Sequence, residues 1–360
     1  MRIPTRFLQA VLSLLLLLVL SENLPAQDLT ARVEEYLAAQ AEVNHFMGSV
    51  LIARDGKPLF RKGFGLANAE HDVPNTAQTK FRIGSLTKQF TAAAVLLLQE
   101  RGLLDVQDPI GKYVDDPPES WADVRIRHLL THTSGIPSFT SFPDYVETWM
   151  IPSRPQKTML RFRDKPLDFP PGRKLSYSNS GYILLAVIIE KASGMRYEEF
   201  LRKNVFEPLA MNDSGHDTFA AILKHRAAGY IWDEAGLQHA PYHDMDLPIG
   251  GGDLFSTADD LLKWDQALYT DRLLSDESRK AMFTRFKKGY AYGWGVAKMF
   301  GHKIHSHGGG INGFSAQIIR FPADNVTVIV LCNLESSPTM QVGRDLAAIL
   351  CGKGYELPTR

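Results

Sequence analysis

The stretch RIGSLTKQFTAAAVLLLQE, residues 82–100, decides how this chain is read. Ser85 and Lys88 stand three residues apart at the mouth of a run that becomes almost wholly apolar. A run apolar on nearly every face predicts a central buried helix, here ending at Gly102. On a helix, side chains three apart share a face, with Cβ atoms about 5–6 Å apart. The first-turn N–H groups lack helical partners and the helix dipole is positive there, so a negative charge forming at Ser85 is stabilised. Burial disfavours an ammonium group, which lowers a lysine's pKa. A lysine pushed toward neutrality can take the proton of a serine hydroxyl. The plain alternative is a helix-capping serine and a lysine that reaches into water. Ser85 and Lys88 form the only Ser-x-x-Lys pair in the chain, and they sit where a buried helix begins.

A second apolar helix is expected in SGYILLAVIIEKASG, ending at Gly194. Directly before it, KLSYSNSGY carries Tyr177 and Asn179. In an extended segment residues two apart point the same way, so a phenol and an amide would face one side. Beside an ammonium a phenol can carry protons. The amide can orient a carbonyl or the lysine. The plain alternative is a packed tyrosine and a capping asparagine. Further on, HSHGGGINGFSAQIIRFP places His307, Gly308, Gly309 and Gly310 at the entry to a strand. Glycines there let a ligand approach the backbone, and a strand edge can offer an N–H to an oxyanion. A glycine-rich hairpin is the plain alternative.

Around these segments, a helix is expected from Asp28 to about Gln40 and a hairpin about Asp55-Gly56. Strands are expected in YAYGWGVAKM, GFSAQIIRFP and NVTVIVLCN, and a last helix from about Thr339 to Leu350. The fold class is therefore α+β. One antiparallel sheet is built from both ends of the chain, residues 27–68 and 281–360, and flanked by the terminal helices. A mainly helical lobe, 69–280, is inserted between them.

The 360 residues are 44% hydrophobic and carry 40 basic and 40 acidic side chains. That composition is globular, and its zero balance gives no electrostatic reason to expect nucleic acid or an anionic membrane. Arg2 and Arg6, the apolar run Phe7–Leu20 and the small residue Ala26 read as a secretory signal cut near Ala26–Gln27. The run is short for a bilayer, so no stable membrane insertion is expected after cleavage, and the product is periplasmic or secreted. An uncleaved anchor is the alternative. Cys332 and Cys351 are either a disulfide, which export permits, or two buried thiols. His302, His305 and His307 are close enough to raise a metal site, but no acidic or cysteine ligand lies beside them, and no metal or cofactor is expected. The chain lacks Gly-x-Ser-x-Gly, His-Glu-x-x-His and a phosphate-binding Gly-rich loop.

Taken in order, the three segments resemble those of the serine β-lactamase and penicillin-recognising superfamily, in its class C-like branch. That branch includes DD-peptidases, D-amino-acid peptidases and family VIII carboxylesterases. The resemblance extends to FRIGSLTKQFTAAAVLLL, RHLLTHTSGIP, FPPGRKLSYSNSGYILLAVIIEKASG and PIGGGDLFSTADDLLKW, nearly the whole chain after the leader. It implies that Ser85 is the acylated nucleophile and that Lys88 and Tyr177 share proton transfer. It implies that Asn179 positions a substrate amide or carbonyl. His307, Gly308 and Gly309 fall where many members have Lys-Thr-Gly, so His307 and Gly309 are implied to bind substrate. Backbone N–H groups of Ser85 and Gly310 would hold the oxyanion. His132, tempting as a triad base, is implied to hold a loop.

Replacing a lysine by His307, mostly neutral near pH 7, and a threonine by Gly308 weakens the grip on an anionic β-lactam. The expectation is a hydrolase of small neutral esters or amides, carboxylesterase-like. D-amino-acid peptidase, DD-carboxypeptidase and β-lactamase are the alternatives within the class. A cell-wall-peptide or penicillin receptor that does not turn over is the alternative of another class.

Overall fold

The computed structural model describes residues 26–359. The expected leader before Ala26 lies outside the described residues. Helix α1 spans Ala26–Asn44 and leads into strands β1, Gly48–Arg54, and β2, Lys57–Phe64. Asp55 and Gly56 join them with φ of 51° and 70°. Positive φ at both central residues is what a tight hairpin with native strand twist requires. Helix α2 covers Thr87–Glu100 and α3 covers Asn179–Ser193, each closed by a left-handed glycine, Gly102 and Gly194. Helices α4, Ala258–Ala267, and α5, Asp276–Met282, lead to strands β3, Gly295–Met299, β4, His302–Ile311, β5, Phe314–Phe321, and β6, Val326–Cys332. Helix α6, Thr339–Leu350, follows.

The six strands form one antiparallel sheet in the order β3-β4-β5-β6-β1-β2. Its two chain segments meet where β1 pairs with β6, Gly48 opposite Cys332. Alternate residues of these buried strands point to opposite faces. Leu51, Ala53, Ile318, Ile329 and Leu331 pack toward the inserted helices. Val50, Ile52, Ile319, Val328 and Val330 pack against Val33 and Leu37 of α1 and Val342 and Leu346 of α6. The sheet is thus covered on both faces, which its near-continuous apolar strands demand.

Three expectations need correction. Tyr290–Gly293 does not join a strand: it turns, with the Ala291 N–H on the Trp294 carbonyl, and β3 begins only at Gly295. The glycine-rich segment is not merely the entry to a strand; it lies within the ten-residue β4. Glycine is poor in strands, but a Cβ at Gly309 would sit 2.1 Å from the Ile83 carbonyl oxygen. The turn before α2 packs directly on this strand. The inserted stretch is also less helical than expected, with small two- and three-stranded sheets between its helices.

Candidate active site

Residues Gly84–Leu86 form a single tight 3₁₀ turn, and α2 starts at Thr87. Ser85 sits in that turn and Lys88 in the first turn of α2. Gly84 has φ +49°, and a Cβ there would meet the nitrogen and oxygen of Gly310 at 2.8 Å. The bare Gly84 therefore lets the amide edge of Gly310 approach the turn that carries Ser85. Strand β3 covers β4 only through Ser306, so the edge from His307 to Ile311 has no strand beside it on that side.

Lys88 is fully buried. Its Nζ lies 3.0 Å from Ser85 Oγ and 2.7 Å from the Gly251 carbonyl oxygen. The Tyr177 and Tyr182 rings close over it at 5.0 and 5.3 Å. Burial pulls its pKa down to about 7, partly opposed by the Asp253 carboxylate. A neutral amine here can donate to Gly251 and turn its lone pair toward the Ser85 proton.

Tyr177 lies on the segment just before α3, half exposed at the cleft, with its hydroxyl in hydrogen-bonding contact with Ser85. Desolvation of the hydroxyl raises its pKa above the ordinary tyrosine range, and the Ser85 contact offsets only part of this. It is a proton-bearing phenol at neutral pH.

His132 holds that segment from two sides. Its carbonyl accepts the Ser176 N–H at 2.9 Å, and its Nδ1 accepts the Ser178 N–H at 3.1 Å. The His132 ring lies on the Tyr177 ring, centroids 4.1 Å apart. Because Nδ1 accepts, Nε2 carries the hydrogen and donates to Tyr290 Oη at 3.1 Å. Tyr290 then donates to His307 Nε2 at 2.9 Å, and His307 Nδ1 donates to the Gly308 carbonyl at 2.6 Å. Backbone groups fix the polarity at both ends of this chain. Burial, reinforced by the Lys88 charge, lowers the pKa of both histidines, that of His307 to about 4.

The structure thus gathers Ser85, Lys88, Tyr177 and the His307–Gly310 edge into one cleft. Two expected side chains are already engaged within the protein. Ser178, between Tyr177 and Asn179, is extended at φ −134° and ψ 117°; Asn179 is the first residue of α3 and its Nδ2 donates to Thr140 Oγ1 at 3.0 Å. His307 offers a ligand no free ring nitrogen. The three clustered histidines diverge: His302 pairs with Asp324, His305 stacks on Phe283 and His307 meets Tyr290. Cys332 and Cys351 are both free thiols.

The reading of the sequence missed Tyr290 and a buried group behind Lys88. His216 bonds Asp246 at 2.8 Å and Asp253 at 2.9 Å, while Asp253 also accepts the Gly250 N–H at 2.8 Å. Burial alone would lower the His216 pKa, but the two carboxylates outweigh it and raise it to about 10. No spacing signal joins residues so far apart in the chain.

Comparison with known proteins identifies the family and the fold. Residues 29–351 match the Beta-lactamase family model. Penicillin-binding protein 4* of Bacillus subtilis is 34% identical over 343 residues, covering 89% of this chain and 75% of that protein. D-aminopeptidase of Gluconobacter oxydans is 27% identical, covering 86% of this chain and 59% of that protein. The octameric penicillin-binding protein homologue from Pyrococcus abyssi superposes with a TM-score of 0.81 at 33% identity, covering 90% of this chain and 78% of that one. The D-amino acid amidase of Ochrobactrum anthropi shares the fold, with a TM-score of 0.79 at 23% identity and coverage of 90% and 99%. With a matching family model over nearly all of the described residues and a relative above 30% identity, the chain belongs to the β-lactamase family of serine hydrolases, alongside the penicillin-binding proteins.

Proposed function

We propose that this protein is an exported serine hydrolase that cleaves small ester or amide substrates through an acyl-enzyme, with esters favoured. The observation that carries the reading is the fully buried Lys88 amine 3.0 Å from Ser85 Oγ. In acylation the Ser85 hydroxyl passes its proton to the Lys88 lone pair while Oγ attacks the substrate carbonyl carbon. The oxyanion forms beside the N–H groups of Ser85 and Gly310. As the intermediate collapses, the bond to the leaving group breaks and the Tyr177 hydroxyl supplies the leaving group's proton, itself reprotonated from Lys88. Water then adds to the acyl carbon by the same relay and releases the acid. Lys88 is the base in this reading, because its amine is neutral near pH 7 while the phenol keeps its proton.

The preference for neutral substrates is supported by the third segment. His307 is neutral and both its nitrogens are engaged, so that position holds no fixed positive charge for a substrate carboxylate. D-Amino-acid amides are the second reading, supported by the unpaired β4 edge, which suits an extended peptide, and by the D-aminopeptidase relative. A side-by-side assay of short p-nitrophenyl esters, a chromogenic cephalosporin and D-amino-acid amides tests the assignment. A serine-directed phosphonate should label Ser85, located by peptide mass spectrometry. Labelling elsewhere overturns the nucleophile; a single acylation without turnover replaces the hydrolase by a receptor.

A further inference from the structure

A second feature lies away from the nucleophile, where the segment after α5 meets the β3–β4 hairpin. From Ser278 to Ala323 the chain has no Asp or Glu, although acids and bases balance over the whole protein. Lys298 and Lys303 stand directly opposite each other across β3 and β4, both exposed. Like charges facing across a strand pair are destabilising. Arg279 and Lys280 have carboxylate partners on Asp271 and Asp276, but Arg285, Lys298 and Lys303 form no ion pair among the described residues. These three line a cleft of about 710 Å³ together with Phe283 and His305. His305 is only 4% exposed, its ring stacked on Phe283 with centroids 4.1 Å apart, and neither ring nitrogen has a hydrogen-bond partner. A buried imidazole with two empty positions and three uncompensated cations are local faults that a fold retains where a ligand answers them.

We propose that this cleft binds a phosphate-bearing ligand carrying more than one negative charge. A phosphate group presents acceptor oxygens in several directions, so two ammonium groups and a guanidinium can engage it together. Its oxygens accept an imidazole N–H, which a neutral histidine always has on one nitrogen. Lys303, His305 and His307 alternate onto one face of β4, so the cleft lies only about 7 Å along the strand from the residue that abuts the catalytic centre. The proposal concerns this cleft alone and does not depend on which bond Ser85 cleaves.

Isothermal titration of the mature chain with tripolyphosphate tests it, in parallel with sedimentation of phosphatidic-acid vesicles. Saturable binding is expected, with ¹⁵N shifts at the His305 ring and a raised Tm. The K298A/K303A variant should bind at least tenfold more weakly, and its unliganded Tm should be no lower than that of the parent. Vesicle binding that tripolyphosphate displaces assigns the phosphate to a lipid headgroup; tripolyphosphate binding without vesicle binding assigns it to a soluble ligand. No saturable binding of either probe overturns the proposal. So does undiminished binding by K298A/K303A, or equal binding of citrate, which would remove the phosphate from it.

Discussion

Gly84 lies so close to Gly310 that a methyl group on Gly84 would stand 2.8 Å from the Gly310 nitrogen. The two glycines are not equivalent. Gly84 is held at φ +49°, while a Cβ on Gly310 would meet nothing within 4 Å. Gly84→Ala should therefore push the β4 amide away from the Ser85 turn. We expect kcat to fall by about 10²–10³, the loss typical of a misplaced oxyanion donor, with a measurable drop in Tm. Gly310→Ala keeps its N–H and has room for the methyl, so its Tm should match the parent. Equal effects of the two substitutions would contradict the arrangement.

Lys88 should make the rate rise with pH. Its ammonium cannot accept the Ser85 proton, and the amine becomes neutral only as pH passes about 7. The acid limb of kcat/KM should have its midpoint there. Lys88→Arg, charged at every working pH, should lose about 10²–10⁴ in kcat. Stability carries the same signature with a definite sign. Between about 7 and the ordinary lysine value of 10.5 the unfolded chain holds a proton that the folded chain has released. Unfolding then takes up protons, so stability increases with pH across that window. Denaturant melts of the parent and of Lys88→Met should differ by this slope; identical slopes would show that the amine is not held neutral.

His132 is a positioning residue for Tyr177. It receives N–H groups from Ser176 and Ser178, the two neighbours of Tyr177, and lies under its ring. Its φ of +55° is a left-handed conformation that asparagine adopts more readily than alanine. His132→Ala should lower kcat by about 10–100-fold, as small misplacements of a reacting group do, while KM changes little. His132→Asn, which keeps an acceptor and suits the backbone, should recover part of that loss. Burial pushes the His132 pKa well below the ordinary histidine value, so neither variant should move the limb near pH 7. A displaced limb would make His132 a proton donor or acceptor instead.

Much of this was legible in the residues because the signals were local. The apolar runs of α2 and α3, their closing glycines and the Asp55-Gly56 hairpin are each written within a few neighbouring positions. Ser85 and Lys88 were legible for the same reason, since helical spacing brings them together. Strand β4 was not, because its three glycines carry no strand propensity and Gly309 is required by the Ile83 carbonyl packed on it. The chain from His132 through Tyr290 to His307 spans 175 positions and exists only through tertiary contact.

Behind Lys88 lie Asp253 and its partner His216, and the Asp253 charge opposes the burial that chiefly sets the acidity of the amine. Asp253 orders the glycine loop by accepting the Gly250 N–H, and the next residue's carbonyl receives Lys88 at 2.7 Å. Its carboxylate raises the lysine pKa against the larger effect of burial. His216, kept protonated through neutrality between Asp246 and Asp253, offsets that negative charge. Its raised pKa gives a stabilising contribution fully present below about 6.5 and lost as pH climbs through about 10. His216→Gln removes the cation and leaves the Asp253 charge uncompensated, so Lys88 should become more basic. Its acid limb in kcat/KM should move above 7, with the rate recovering in alkali. Asp253→Asn removes the charge that favours the ammonium, so its limb should move below 7. Full pH profiles of both variants, with circular dichroism to verify folding, decide the matter: shifts in the same direction would remove this pair from the control of Lys88, whereas opposite shifts follow only if their charges reach it.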